Sequence, residues 1–226
     1  LTPVKKDAVR RHFDAIAGEY DRWKERSSCY YAELARIYRE FIPPGAAVLE
    51  LGCGTGTILA GLSPRRGVGV DLSARMVQIA AARHPDLTFL VADAEDFDPG
   101  ETFDFVIVPD VVEHLTDVAA MFRSARKACR PDSRVIVTSV NPLWAPVLHL
   151  AERLRLKMPE GDHRWLSVKA LVRSAESAGL ACERAAGRLL VPARVPLVAA
   201  ALNAAAARLP ILGPLCLTQV LVLRPR

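Results

Sequence analysis

Two groups of residues in this 226-residue chain have types and spacings suited to chemistry. The first is the run Glu50-Leu51-Gly52-Cys53-Gly54-Thr55-Gly56, followed nineteen positions after Gly52 by Asp71. Glycines let a backbone bend sharply and approach a ligand closely, because no Cβ intervenes. A carboxylate at that distance is placed to reach the hydroxyls of a ribose. The glycine pattern is G-x-G-x-G with an acidic residue two positions ahead, not the G-x-G-x-x-G turn that seats a pyrophosphate at a helix N-terminus. An acid at Glu50 suits a nucleoside that carries positive charge. The second group is Asp110, Glu113 and His114, at i, i+3 and i+4. On a helix all three would point the same way. Two carboxylates and an imidazole suit either a divalent metal or an acid–base centre. His163, in the segment Pro159–Ser167, is a further partner for either role. A histidine is the better base of the set, since its ordinary pKa lies near neutrality.

These groups need elements that hold them. Ala47–Leu51 is a short apolar run that fits a buried parallel strand, and Thr57–Leu62 opens a helix after the glycine turn. A second strand, Gly67–Val70, delivers Asp71, and Ser73 is the expected N-cap of a helix to His84. Leu87–Ala92, Phe103–Val108 and Arg134–Val140 read as further strands. Val118–Cys129 and Leu166–Ala178 read as helices, with a turn at Pro131-Asp132 and a stop at Gly179. Strand and helix alternate with short connections, which specifies a parallel sheet with helices on both faces. Cys182–Leu190 and Cys216–Leu223 read as two last strands, separated by an apolar helix near Val195–Leu209. Lys5–Ile42 reads helical and aromatic-rich up to Pro43-Pro44-Gly45. No repeat, linker or domain boundary is evident, so residues 1–226 are expected to form one domain.

With those residues in place, a resemblance can be stated. Glu50–Gly56 resembles the first motif of class I S-adenosylmethionine (SAM)-dependent methyltransferases. Asp71-Leu72-Ser73 with Met76 is similar to their second motif, Ala92–Glu95 to their acidic loop, and Phe103–Val111 to their fourth-strand motif. The resemblance covers roughly 48–140. It implies a Rossmann-like, seven-stranded α/β sheet, mostly parallel with the last strand reversed. It implies SAM as cofactor, with Gly52, Gly54 and Gly56 passing under its methionine part, Asp71 on the ribose, and Glu50 and Cys53 among the other cofactor-binding residues. Leu72 and Met76 would pack on adenine, Asp93 would accept from the adenine amino group beside Ala94, and Pro109 would face the methionine end. Residues 1–42 resemble a helical lid, with Tyr20 near the cofactor. Asp110, Glu113, His114 and His163 resemble the E-x-x-E-H pattern and later histidine of ubiquinone-pathway O-methyltransferases and small-RNA 2′-O-methyltransferases. Here Asp110 replaces the first Glu and shortens its reach by one methylene. His114 and His163 are therefore the candidate catalytic residues, and a divalent metal on Asp110, Glu113, His114 and His163 is the weaker alternative.

The remaining sequence bounds the acceptor and the partners. Hydrophobic residues make up 51% and charged residues 24%, with net charge +5 from dispersed arginines. Such a surface suits acidic small molecules, anionic membranes or nucleic acid. No aromatic-interleaved basic patch or recognition module is found, which argues against nucleic acid. Five cysteines without a C-x-x-C pair point to reduced thiols and a cytoplasmic setting. Leu1–Arg11 carries charges where a signal peptide needs an apolar core. Residues 141–165 and 191–214 read as acceptor-side insertions, rich in leucine and alanine. They favour a small, apolar or amphipathic acceptor methylated on oxygen or nitrogen. Segment 195–209 is alternatively a peripheral membrane or homodimer contact. Two other functions fit the same residues: a SAM-binding cyclase that does not methylate, and a membrane-surface protein with a vestigial site.

Overall fold

The computed structural model describes residues 4–161, 163–190 and 210–226. Three helices come first: α1 (Lys6–Ile16), α2 (Tyr20–Arg26) and α3 (Ser28–Phe41). The expected helical region thus breaks twice, in the stretch containing Gly18 and at Ser27. The alternating core follows as β1 (Ala47–Leu51), α4 (Thr57–Ala60), β2 (Arg66–Asp71), α5 (Ala74–Arg83), β3 (Thr88–Val91), β4 (Phe103–Pro109), α6 (Val118–Lys127) and β5 (Cys129–Val140). Then come α7 (Ala145–Arg153), α8 (Val168–Ser177), β6 (Leu180–Arg188) and β7 (Thr218–Pro225). Ser73 caps α5 as its residue type suggests, accepting from the Met76 amide at 3.1 Å.

The seven strands form one sheet in the order β3-β2-β1-β4-β5-β7-β6. β1 to β5 pair in parallel, and β7 runs antiparallel to both β5 and β6. The reversed strand is the last one, as the resemblance implies. Strand alternation divides the core. Val48, Ile107, Ile136 and Val220 face Leu34, Ile37, Tyr38 and Leu59 on one side. Leu49, Val106, Val135 and Leu221 face Phe122, Met121 and Leu171 on the other. Both faces are covered, which is why β1 is buried at every position.

β5 begins earlier than its hydrophobic pattern suggests. Phe103 pairs with Cys129 and Phe105 with Arg134, so residues 130–133 bulge from the ladder. The expected Pro131-Asp132 turn lies within this bulge, where Pro131 owes no donor to a neighbour. Ser133 closes it, accepting from Arg130 N at 2.8 Å and donating to Phe103 O at 2.6 Å. α6 correspondingly ends at Lys127, not Cys129.

The expected apolar helix at 195–209, with its membrane or dimer contact, lies outside the described residues, as do most of insertion 191–214 and Asp162. Among the described residues no helix is long and apolar enough to cross a membrane. The sheet order reverses direction of travel between β1 and β4. The crevice at their carboxyl ends is where open α/β sheets bind ligands.

Candidate active site

A cavity of about 410 Å³ opens at this crevice. Its floor is the turn after β1. Gly52, Gly54 and Gly56 adopt φ of +76°, +51° and +76°, which only glycine enters without strain. Gly52 also has no room for a side chain, since a Cβ there would lie 2.2 Å from Val111 Cγ2. Asp71 ties this turn to the one after β2: Gly54 N donates to Oδ2 at 2.8 Å and Ser73 N to Oδ1 at 2.9 Å. Burial pushes the Asp71 carboxyl up, and these two amides pull it back. Each oxygen keeps a lone pair for a further donor. Glu50, 1% exposed, accepts only the Leu59 amide among the described residues, at 3.2 Å. Its pKa is pushed up to about 8 by burial, against the pull of the nearby Lys24 ammonium.

The structure brings most of the predicted cofactor residues to this one wall. Tyr20, Glu50, Gly52, Cys53, Gly54, Asp71, Leu72, Met76, Asp93, Ala94 and Pro109 all line the cavity. Gly56 does not. A Cβ at Gly56 would meet the Phe89 ring at 2.6 Å, so this glycine serves packing beneath the turn. Cys53 is buried and its thiol is pushed well up by desolvation, which leaves it unreactive. Asp93 is already engaged: Lys6 Nζ lies 2.6 Å from Oδ2, and the Glu95 amide donates to Oδ1 at 2.9 Å.

The N-terminal helices roof the cavity. Ser73 Oγ donates to Asp14 of α1 at 2.6 Å, and Thr55 Oγ1 donates to Asp21 of α2 at 2.7 Å. Asp21 also pairs with Arg83. The Tyr20 ring lies over Gly54, so close that a Cβ there would sit 3.2 Å from Cε1. Lys24, one turn further, places its ammonium over the rings of Tyr20 (4.5 Å) and Tyr31 (5.0 Å).

At the other end, the expected one-faced helical set is not formed. Asp110 takes φ +51°, and only Val112–His114 makes a single 3₁₀ turn. The three side chains consequently diverge. Asp110 accepts from Tyr30 Oη at 2.5 Å and Thr138 Oγ1 at 2.9 Å, and Thr138 in turn bonds Tyr38 Oη at 3.1 Å. Glu113 is 2% exposed and accepts from Val140 N at 2.7 Å, while its second oxygen has no hydrogen-bond partner among the described residues. Burial and the Asp110 charge push the Glu113 carboxyl well up, so it favours the neutral acid. His114 lines the cavity and packs edge-on against Phe13, centroids 5.1 Å apart. His163 stands behind it, 6.2 Å away, among His149 and Trp165. Its Nδ1 lies 2.8 Å from the Gly161 carbonyl, which can only accept, so Nδ1 carries a hydrogen, and its Nε2 lies 4.0 Å from Glu160 Oε2. Among the described residues no three His, Cys, Asp or Glu side chains converge as a metal-binding group. Lys157 pairs with Glu160 on the same wall.

Sequence reasoning missed Lys6, Lys24, Tyr30 and Thr138. Tyr20 and Lys24 stand at i, i+4 on α2, a spacing that does carry a signal for a shared face. Tyr30 to Asp110 and Thr138 to Asp110 span 80 and 28 residues, and no local pattern announces them.

Comparisons with known proteins bear on this arrangement. A family model described as a methyltransferase domain matches residues 22–185. The ubiquinone biosynthesis O-methyltransferase of Rhodopseudomonas palustris (strain TIE-1) is 34% identical over 177 residues, 73% of this chain and 62% of the relative. The chain therefore spans less than two thirds of that relative's length. A SAM-dependent methyltransferase from Thermotoga maritima has a TM-score of 0.72 at 20% identity, over 96% of this chain and 100% of that one. The [4+2]-cyclase SpnF has a TM-score of 0.60 at 17% identity, over 85% and 80% of the two chains. These two likenesses show the fold, whereas the family model spans the turn, the acidic loops and the fourth strand together. The chain belongs to the class I SAM-dependent methyltransferase family.

Proposed function

We propose that this chain transfers the methyl group of SAM to a hydroxyl oxygen of a small, apolar or amphipathic molecule. One observation carries the reading: a single cavity runs from Asp71, under the Tyr20 roof, to His114 and Glu160. Its size and mixed lining suit a nucleoside at one end and a second, largely apolar reactant at the other. Phe13, Leu148, Leu156 and Met158 supply the apolar wall at the far end. The similarity to ubiquinone biosynthesis O-methyltransferases favours oxygen over nitrogen as the methylated atom.

The residues fit such a cofactor. Asp71 retains acceptor capacity for ribose hydroxyls, and Gly52 and Gly54 leave the floor of the cavity bare of side chains. Leu72 and Met76 offer apolar contact for a base. Asp93, held by Lys6, keeps acceptor capacity beside Ala94 for an exocyclic amine. SAM supplies a methyl group already activated on a sulfonium. The protein's task is then alignment: the glycine turn and Asp71 fix one reactant, and the Phe13–Met158 wall fixes the other. His114 is placed to take the acceptor's proton as the hydroxyl becomes a nucleophile, with His163 buttressing its ring. Tyr20 and α2 exclude water above the reacting atoms.

The test is mass spectrometry of reactions containing SAM and a panel of phenols and catechols with and without prenyl tails. The expected result is a methyl-sized increment on one acceptor, matched by S-adenosylhomocysteine (SAH). The cyclase reading rests on the shared fold with SpnF. It would instead give a product isomeric with its substrate and no SAH.

A further inference from the structure

Three lysines line the cavity, and they divide between its two ends. Lys6 is paired with Asp93 and Glu95 at the Asp71 end. Lys24 lies over Tyr20 and Tyr31 in the roof. Lys157 is at the other end, between Leu156 and Met158 of the apolar wall. It pairs with Glu160, and both side chains are 18% exposed. A loop facing an apolar chamber has little reason to enclose an ion pair, since the cost of taking two charges out of water roughly cancels their attraction. The ammonium is also under-used. Its nitrogen is buried and, apart from that ion pair, makes no hydrogen bond among the described residues, although an ammonium carries three donors. A second polar atom at this end is in the same condition: Glu113 Oε2 is buried without a hydrogen-bond partner among the described residues and feels the charge of Glu160. Two such atoms in an otherwise apolar chamber mark the place of a polar group that arrives with the acceptor.

The chemistry of that group follows from the donors that await it. A desolvated ammonium pairs best with an anion, through a short charge-assisted hydrogen bond. One ammonium beside the Glu160 carboxylate suits a single negative charge, whereas a phosphate dianion would meet more repulsion than one lysine offsets. Glu113 opposes such a guest little, because burial and the Asp110 charge favour its neutral acid. We propose that Lys157 is a specificity-determining residue that binds a carboxylate carried by the acceptor, at the Glu160 end of the cavity. The acceptor is then an amphiphile with two oxygen groups: the hydroxyl to be methylated, near His114, and a carboxylate that fixes its depth and direction. The inference rests on the acceptor reading above and narrows it. Glu160 is a competing counterion, since the acceptor carboxylate must share Lys157 with it.

Calorimetry on the SAH-saturated protein tests this with para-hexylbenzoate and its uncharged analogue para-hexylbenzamide. The wild-type protein should bind the benzoate roughly 10-fold tighter, the difference between a charge-assisted and a neutral hydrogen bond. Lys157→Met should weaken benzoate binding roughly 10- to 100-fold and remove the preference, and Lys157→Arg should keep it. Glu160→Gln should strengthen benzoate binding roughly 2- to 5-fold, because Lys157 loses a competing counterion, and should leave benzamide binding unchanged. A lysine that only braces the loop would lose both ligands equally in Lys157→Met, and Glu160→Gln would then weaken binding or leave it as it was. Either result would overturn the proposal. So would wild-type protein that binds the benzoate no tighter than the benzamide, or that binds para-hexylphenyl phosphate tighter than the benzoate. If SAH itself does not bind, the cofactor reading fails along with the proposal. If SAH binds and the benzoate preference is absent, only the proposal fails.

Discussion

Glu50 should release a proton when the cofactor binds, and the size of that release follows from its surroundings. Burial raises its pKa to about 8 in the ligand-free protein. A ligand ammonium placed beside it would favour the carboxylate, so binding must first ionise the acid. The ionised fraction is about one in a hundred at pH 6, about one in eleven at pH 7 and about half at pH 8. Apparent affinity for SAH should therefore rise roughly 50-fold from pH 6 to pH 8, with close to one proton released per ligand at pH 7. Calorimetry at pH 7 in two buffers of different ionisation heat measures that proton directly. Glu50→Gln should remove the release and flatten the profile, leaving weaker binding at pH 8. Stability of the ligand-free protein follows the opposite course. The folded pKa lies above the unfolded value of 4.5, so the fold prefers the neutral acid. Stability falls as pH rises from about 4.5 through about 8, and Glu50→Gln should lessen that fall. Affinity independent of pH, with no proton released, would refute the reasoning.

Four further outcomes are expected. Asp71→Ala should weaken SAH binding by about 1–3 kcal/mol, since hydrogen bonds to a carboxylate are lost, and unchanged calorimetric affinity would dismiss its role. Gly52→Ala should lower the melting temperature measured by circular dichroism, because a Cβ would meet Val111 at 2.2 Å in a backbone with φ +76°; adding Val111→Ala should relieve the clash but not the backbone strain. Hydrogen exchange across residues 10–30 should slow with SAH if α1 and α2 form a lid, and identical protection with and without ligand would count against one. His114→Ala should lower turnover about 10²–10⁴-fold with SAH affinity held, and His163→Ala should act in the same direction through the His114 ring. Activity abolished by chelator and restored by a divalent ion would return both histidines to the metal alternative.

The half of the site that is local in sequence was legible there. The glycine turn, Asp71 and the Ser73 cap sit within single strand–turn–helix units, where residue type dictates conformation. Gly56 does not line the cavity, and a turn glycine packed against Phe89 looks the same in sequence as one that faces a ligand. The helical arrangement of Asp110, Glu113 and His114 does not form, for a different reason. Their spacing is helical, but β4 runs to Pro109 and the chain then turns through a positive φ at Asp110, so the period of 3.6 never starts. The long-range partners decided where the side chains went: Thr138 and Tyr30 claim Asp110, and the β5 terminus claims Glu113. The Lys24–Glu50 relation was hidden as well, since it depends on how α2 lies across the turn, which no spacing within either segment encodes.

The central claim is that the crevice between β1 and β4, roofed by α1 and α2, is the SAM site. A crystal structure of the protein grown with SAH tests it most directly. The account predicts the ribose hydroxyls at Asp71, the thioether above Gly52–Gly54 beneath Tyr20, and the amino-acid head on the Glu50 side of the glycine turn. SAH bound anywhere else, or this cavity empty at saturating SAH, would contradict it.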